Sequence, residues 1–333
     1  MRTPRLATCS VAVSAVPLLV AGVIAGIAPA TAAAARTRSA GPAASFVVSG
    51  DLHGVAATSA KNAWAVGCAN CFTSRPKTLI LHWNGKAWKR VPSPSGSLAS
   101  VAAVSARSAW AVGCANCFTS RPKTLILRWN GKAWKRVPSP SPGASSGLSS
   151  VAATSAGNVW AVGEFVSGIS SMNGLILHWN GKAWRRVPSP LPTNGKFGNA
   201  LAGVAATSAK NAWAVGCTDG CPVGGTPVIE RWNGTAWKQL AAPTTPYSLY
   251  NLAAVTAIST ASAWAVGGGG PVTSEGTATA HWNGGRWTLS HGRSGAELAG
   301  VAATSSTNAW AVGGTASGHT LILRWNGTTW KLN

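Results

Sequence analysis

The sequence predicts an all-β protein, a six-bladed β-propeller with about four antiparallel strands in each blade. Three observations lead to this prediction. A segment of about 49 residues recurs six times, each copy holds three tryptophans, and together these account for all 18 Trp of the chain. Each copy also contains four short segments that fit β-strands, separated by turn residues. Such a period with four strands per unit is typical of propeller blades.

Each predicted strand of the first copy has a residue pattern that fits its place in a blade. Strands A, B, C and D are expected at residues 55–58, 63–66, 79–83 and 88–91. Strand A is built of small residues because innermost strands crowd around the axis. Strands B and C are apolar at consecutive positions, as expected for strands buried on both faces. Strand D is outermost, and its Lys, Arg and following Pro protect its open edge.

A tight hairpin is predicted between strands C and D. Asn84-Gly85 supplies the positive φ angles that such a turn needs. The loop can hold two residues or four. In either case Trp83 and Trp88 fall on one face of the hairpin, since strand side chains alternate between faces.

The alternative fold is a β-sandwich or a pair of Greek-key domains, which six regular copies do not favour. The domain boundaries follow from the repeat. Residues 1–35 are expected to be a signal peptide, and residues 36–49 a flexible lead that could also supply a closing strand to the last blade. The six blades are expected at about residues 50–94, 95–140, 141–190, 191–243, 244–290 and 291–333.

The first residues have the organisation of a secretory signal. Arg2 and Arg5 precede an apolar stretch at residues 11–27, and small residues at 28–32 offer cleavage sites. A membrane anchor is the other interpretation, but the apolar stretch is marginal for spanning about 30 Å of hydrocarbon. We therefore expect a secreted, extracellular protein, free or associated with the cell wall, with no transmembrane anchor after cleavage.

The composition is strongly basic, with 28 Lys and Arg, six Asp and Glu, and a net charge of +22. A protein of this charge associates with polyanions. Because export argues against nucleic acid as the partner in vivo, the expected partner is an anionic polysaccharide or cell-wall polymer. The protein is expected to act as a monomer.

Much of the positive charge follows the hairpin turns of the first three copies. We call this set the basic rim, and its nine residues are Lys86, Lys89, Arg90, Lys132, Lys135, Arg136, Lys182, Arg185 and Arg186. Docking to anionic envelope polymers is the functional interpretation. Solubility and protection of the outer strand edge are the structural one, and the sequence leaves both open.

Six cysteines occur in three close pairs, each directly after a Trp-Ala-Val-Gly segment. The pairs are Cys68/Cys71, Cys114/Cys117 and Cys217/Cys221. An even number of cysteines in an exported chain predicts short-range disulfides. The alternatives are a zinc site shared by two CxxC pairs, or free or redox-active thiols, although the first two pairs are expected in different blades.

The sequence offers few residues of the types that catalysis commonly requires. A typical glycosidase needs two carboxylates about 5 to 9 Å apart, and none of the six acidic residues recurs at a fixed blade position. His82, His178 and His281 occupy a position that holds Arg in the other copies, so they are interpreted as basic residues rather than metal ligands. No catalytic residue, metal site or cofactor is assigned.

The tryptophans have two interpretations. Trp faces can stack on sugars, and repeated pockets on a propeller would make a lectin. Alternatively, the Trp side chains pack between blades, which their identical placement in every copy favours. The chain is therefore expected to be a non-catalytic binding or scaffold module for anionic envelope polymers or glycans. The alternative is an extracellular carbohydrate-active enzyme, glycosidase-like or galactose-oxidase-like, on the same fold.

Over about residues 50–333 the repeat resembles Trp-rich, propeller-like secreted proteins of actinobacteria. The resemblance rests on Trp-Ala-Val-Gly, on His-Trp-Asn-Gly with a Trp five residues after the first, and on Val-Pro-Ser-Pro. It implies a propeller and no defined activity. The blade is also similar to tectonin-type lectin and kelch propellers, but it lacks the double-Gly signature of kelch units.

Overall fold

The computed structural model describes residues 48–73, 75–168, 171–191, 198–219, 225–243, 251–268 and 276–333. The expected signal peptide at residues 1–35 and most of the lead that follows lie outside these ranges. Within them the chain forms strands and loops, and no helix capable of crossing a membrane is found there. The strands make six four-stranded antiparallel sheets, which confirms the predicted six-bladed propeller.

The 24 strands follow one another as four per blade, with the chain moving from the innermost strand outward. Blades 1 and 2 contain β1 (Asp51–Ser59), β2 (Asn62–Ala69), β3 (Lys77–Trp83), β4 (Trp88–Arg90), β5 (Ser97–Ser105), β6 (Ser108–Ala115), β7 (Lys123–Trp129) and β8 (Trp134–Arg136). Blades 3 and 4 contain β9 (Ser145–Ser155), β10 (Asn158–Ser167), β11 (Ser171–Trp179), β12 (Trp184–Val187), β13 (Asn199–Ser208), β14 (Asn211–Thr218), β15 (Thr226–Trp232) and β16 (Trp237–Leu240). Blades 5 and 6 contain β17 (Asn251–Ala257), β18 (Ala263–Gly268), β19 (Thr277–Trp282), β20 (Trp287–His291), β21 (Ala296–Ser305), β22 (Asn308–Thr315), β23 (Thr320–Trp325) and β24 (Trp330–Leu332).

The hydrophobic core lies between neighbouring blades rather than inside one sheet. The innermost strands are side by side around the axis, with β1 beside β5, β5 beside β9, and so on to β21. At the first interface Trp64 and Val66 of blade 1 pack with Leu98 and Val101 of blade 2 in one buried cluster. This two-sided packing explains why the second and third strands are apolar at consecutive positions.

The glycine that ends each Trp-Ala-Val-Gly segment has a steric cause. A Cβ at Gly67 would overlap the carbonyl oxygen of Asp51 on the innermost strand, and the equivalent glycine of every other blade meets the equivalent oxygen. The inner strand bulges at this point, between Leu52 and Gly54 in the first blade. The bulge brings its backbone too close to the second strand for any side chain.

The start of the described chain packs on the first blade. Val48 contacts a cluster formed by Ala65, Leu79 and Leu81. The closing strand expected for the last blade falls mainly on residues outside the described ranges, and the one apolar residue of it that is described, Val48, contacts blade 1.

Candidate functional site

The antiparallel order of the strands gives the propeller two different ends. Turns between strands A and B and hairpins between strands C and D lie at one end, which we call the hairpin end. Loops between strands B and C lie at the opposite end, the loop end. A hydrogen bond fixes this relation, since Trp83 Nε1 donates to the carbonyl oxygen of Ala60 over 2.9 Å. The first hairpin Trp of every blade makes the same kind of bond.

The hairpin holds four residues, which decides between the two loop lengths left open by the sequence. Trp83 and Trp88 are register partners, so residues 84–87 form the loop. Asn84 Oδ1 accepts hydrogen bonds from the backbone N–H groups of Lys86 and Ala87, both at 3.0 Å. Gly85 has a φ of 91°, a conformation that favours glycine. These hydrogen bonds define the conformation of the loop, and Lys86 lies in it.

The basic rim is a surface feature throughout. All nine of its residues are exposed, and none makes an ion pair with any described residue. Lys89 pairs in register with His82, Lys135 with Arg128 and Arg185 with His178. Successive blades therefore repeat one arrangement of charge at equivalent positions along the outer edge. Because strand side chains alternate, consecutive residues such as Lys89 and Arg90 point to opposite faces of the blade.

The tryptophans of the Trp-Ala-Val-Gly segments are core residues. Trp64, Trp110, Trp160 and Trp213 are 0% exposed and Trp264 is 2% exposed. Each packs against both hairpin tryptophans of the next blade, for example Trp64 on Trp129 at 4.9 Å and on Trp134 at 5.1 Å. The interpretation that Trp side chains pack between blades is the correct one for these five, and they are not available as sugar-stacking platforms.

The His or Arg on each third strand completes this aromatic cluster. His82 stacks on Trp64 with ring centroids 4.2 Å apart, and its Nε2 bonds Asn62 Oδ1 at 2.8 Å. Arg128 lies between Trp110 and Trp179, with its Cζ 5.2 and 5.7 Å from the two rings. Burial lowers the pKa of His82 below its usual value, which favours the neutral imidazole. The same holds for His178 and His281. These histidines were expected to be basic residues beside the hairpin, and the structure adds that stacking on the tryptophans desolvates them.

Two of the described acidic residues are desolvated, and they lie in different blades. Contrary to the expectation that no acidic residue recurs at a fixed blade position, Asp51 and Glu297 hold the same position on the innermost strands of blades 1 and 6. Glu164 is on β10 and Glu230 on β15, in different blades, and burial raises the pKa of each carboxyl to about 7. Glu230 is fully buried and accepts a hydrogen bond from Ser189 Oγ at 2.6 Å. Glu275 lies outside the described residues.

Two of the three predicted disulfides are confirmed. Cys68–Cys71 and Cys114–Cys117 are bonded, with Cα atoms 5.3 and 5.4 Å apart. Cys217 is also disulfide-bonded, while Cys221, its predicted partner, lies outside the described residues. Among the described residues the one group of at least three potential metal ligands is His53, Cys68 and Cys71. Because the two sulfurs form a disulfide, neither is a thiolate ligand.

An exposed aromatic pair at the loop end was missed by the sequence reasoning. Phe72 is 74% exposed and Phe118 is 36% exposed, with ring centroids 5.9 Å apart. Each follows a disulfide directly, and exposed Arg75 and Arg121 lie three residues further along. The near-identical Cys-Phe-Thr-Ser-Arg-Pro-Lys loops of the first two copies are the signal that could have identified it. Only the fold shows that the two loops meet.

Comparisons with known proteins support the architecture. No family model and no curated protein matches the chain. Among solved structures, a fucose-specific lectin from Aleuria aurantia is 13% identical with a TM-score of 0.55, over 86% of this chain and 96% of the lectin. The GH74 xyloglucanase from Xanthomonas campestris is 14% identical with a TM-score of 0.58, over 85% of this chain and 45% of the enzyme. YCF48 bound to a D1 peptide is 14% identical with a TM-score of 0.53, over 85% and 81% of the two chains. At these identities the likeness shows the fold, which is that of a β-propeller.

Proposed function

We propose that this protein is a secreted, non-catalytic propeller that binds anionic polymers of the cell envelope, such as teichoic acid or acidic polysaccharide, through the basic rim. The observation that carries the proposal is the rim itself. Nine exposed cations occupy equivalent positions in three successive blades, and none is neutralised by a described acidic residue.

The spacing of these charges suits a polymer better than a small ligand. A repeating polyanion that follows the outer edge meets the same pair of cations in each blade, at β4, β8 and β12. Each exposed contact is weak by itself, since single surface ion pairs contribute about 0 to 1 kcal/mol. Several contacts on one chain add up, because after the first contact the others are intramolecular.

The structural comparisons are compatible with a sugar polymer as the ligand class. They include a fucose-specific lectin and a xyloglucanase, and these proteins share only the propeller fold with this chain. The secretory signal expected at residues 1–35 also favours envelope polymers as the ligand. The test separates binding by the rim from attraction by net charge.

The test is binding of the secreted protein to immobilised teichoic acid at low and high salt. Reversing Lys89 and Lys135 to Glu should weaken binding strongly, and adding Arg185→Glu should weaken it further. The matched control reverses Lys238 and Lys331, which hold the same strand position in blades 4 and 6 and change the net charge equally. Equal losses for the two double variants would contradict a role of the rim. High salt should weaken binding, because the Debye length falls to about 3 Å at 1 M.

The exposed phenylalanine pair supports a second candidate, glycan recognition at the loop end. An aromatic ring held by a disulfide-braced loop offers a preorganised stacking surface, and loops on a rigid scaffold often carry binding residues. Neutral glycans bound equally at low and high salt would favour this site over the rim. If neither class of polymer is bound, a structural or protein-binding role is left.

A further inference from the structure

A histidine occupies the bulge on the innermost strand of blade 1. His53 is the extra residue of this bulge, between Leu52 and Gly54, which pair with Gly67 and Val66 of the second strand. The bulge residues of the other blades are all small, namely Ala99, Ser149, Ala202, Ala253 and Ala299. Bulges redirect a side chain and are common next to functional sites. The exception in blade 1 therefore calls for a chemical reason.

The imidazole of His53 lies beside the disulfide of its own blade. One ring nitrogen of His53 and the Sγ atoms of Cys68 and Cys71 all lie within 4.8 Å of one another. Cys68 is 1% exposed and Cys71 is 6% exposed, whereas His53 is exposed. The three side chains thus combine a sheltered pair of sulfurs with a solvent-accessible imidazole.

A hydrogen bond to the next blade orients this imidazole. His53 Nδ1 lies 2.9 Å from the carbonyl oxygen of Leu98 on the innermost strand of blade 2. A carbonyl oxygen only accepts, so Nδ1 carries the hydrogen and, in the neutral ring, Nε2 keeps its lone pair. Histidines that bind metals commonly donate their other N–H to a backbone carbonyl in this way.

We propose that reduction of the Cys68–Cys71 disulfide converts this group into a Zn²⁺ site, with His53, Cys68 and Cys71 as ligands. Two thiolates and one imidazole are ligands that zinc prefers, and a set of three leaves the fourth tetrahedral position to water. With Zn–N and Zn–S bonds of about 2.0 and 2.3 Å, tetrahedral ligand atoms lie about 3.5–4 Å apart. The histidine is already at a comparable distance, and the sulfurs separate once their bond is broken.

The conversion balances with a phosphine as the reductant. The disulfide, the phosphine and one water molecule give two thiols and the phosphine oxide. Zn²⁺ then displaces one proton from each thiol and forms two Zn–S bonds and one Zn–N bond. The loop is therefore closed either by the disulfide or by the metal, and zinc protects the thiolates from reoxidation.

Blade 2 contains a matched loop that lacks the third ligand. Residues 64–81 and 110–127 have the same sequence, and Cys114–Cys117 is bonded in the same way. Ala99 holds the bulge position that His53 holds in blade 1. Reduction of the second loop therefore supplies two thiolates without an imidazole, and we expect this loop to bind zinc more weakly.

The experiment titrates Co²⁺ into the purified protein after reduction with a phosphine and follows the thiolate-to-cobalt absorption. Cys217→Ser and Cys221→Ser are present in every sample, so that the third cysteine pair does not contribute. The reduced protein should bind one Co²⁺ tightly and release it to Zn²⁺, whereas the oxidised protein should not bind. His53→Ala should weaken binding by more than about tenfold, since loss of even an outer partner of a metal ligand costs about 10- to 100-fold. Ala99→His should add a second tight site.

Folding is checked by circular dichroism of each reduced protein, and alanine at the bulge is already present in blade 2. Equal affinity in the His53→Ala variant would overturn the proposal, because the cysteine pair alone would then account for binding. Binding by the oxidised protein, or no tight binding after reduction, would overturn it as well. Loss of the native spectrum on reduction would do the same, since the site requires the folded bulge.

Discussion

Replacement of Glu230 by Gln should change how the stability of the protein depends on pH. Glu230 is 0% exposed, its Oε1 accepts a hydrogen bond from Ser189, and its Oε2 has no partner among the described residues. In the first three blades the same position holds a leucine, such as Leu127. A carboxylate at this position is removed from water and accepts only one hydrogen bond. The desolvation raises its pKa more than the hydrogen bond lowers it, from 4.5 to about 7.

The magnitude follows from the linkage between protonation and folding. The pKa is raised in the folded state, so the folded protein holds the proton more tightly than the unfolded chain does. The contribution of this proton to the free energy of unfolding is fully present below pH 4.5 and is lost as the pH rises through about 7. A change of this size corresponds to about 3 kcal/mol of unfolding free energy. Gln is neutral at every pH, so the variant should match the wild type at about pH 5 and exceed it by up to about 3 kcal/mol at about pH 8.

The assay is urea unfolding followed by tryptophan fluorescence across this pH range. The difference between wild type and variant isolates Glu230, because contributions from Glu164 and from the stacked histidines are common to both proteins. Glu297→Gln, a partly exposed carboxylate in blade 6, serves as the control. A constant difference between wild type and Glu230→Gln at all pH values would refute the assignment of a buried carboxyl that titrates near neutrality.

Three further predictions concern the blade and its loops. Gly216→Ala should destabilise blade 4 severely because its Cβ would overlap the carbonyl oxygen of Ala200, whereas Gly157→Ala, whose nearest neighbour is 3.8 Å away, should be tolerated; circular dichroism melts will compare them. Loss of the Cys114–Cys117 bridge should cost about 2 kcal/mol or less, since it closes a very short loop; an effect above this in urea unfolding would mean that the bridge holds more than its own loop. Replacement of Phe72 and Phe118 by Ser should leave stability unchanged and should reduce any salt-resistant glycan binding; unchanged binding on a glycan array at high salt would exclude the pair as a stacking site.

Much of the architecture could be predicted from the repeat because each copy contains the residues that determine its own turns, bulge and disulfide. Asn84-Gly85 sets the hairpin, Gly67 admits the bulged inner strand, and the paired cysteines are close enough to bond within one loop. These are local effects of covalent geometry and side-chain alternation, and every copy repeats them. The four strands of blade 1 lie where they were predicted, although the first three extend beyond the predicted limits and the fourth ends one residue earlier.

What the sequence could not determine are the contacts made across blades. The histidines on the third strands were expected to be basic residues, but each stacks on a tryptophan that packs against the next blade, and burial lowers the pKa of each. Phe72 and Phe118 are 46 positions apart in the chain and meet only because adjacent blades bring equivalent loops together.

The sequence by itself determined the number of blades, the strands within them, the disulfides of the first two loops and the exposure of the basic rim. Tertiary structure alone decided which aromatic faces are buried and which carboxyls are desolvated. The physical reason is that burial and pairing at a blade junction depend on two units far apart in the chain. A repeat shows that each blade has an apolar face, but only the assembled ring decides which residues that face contacts.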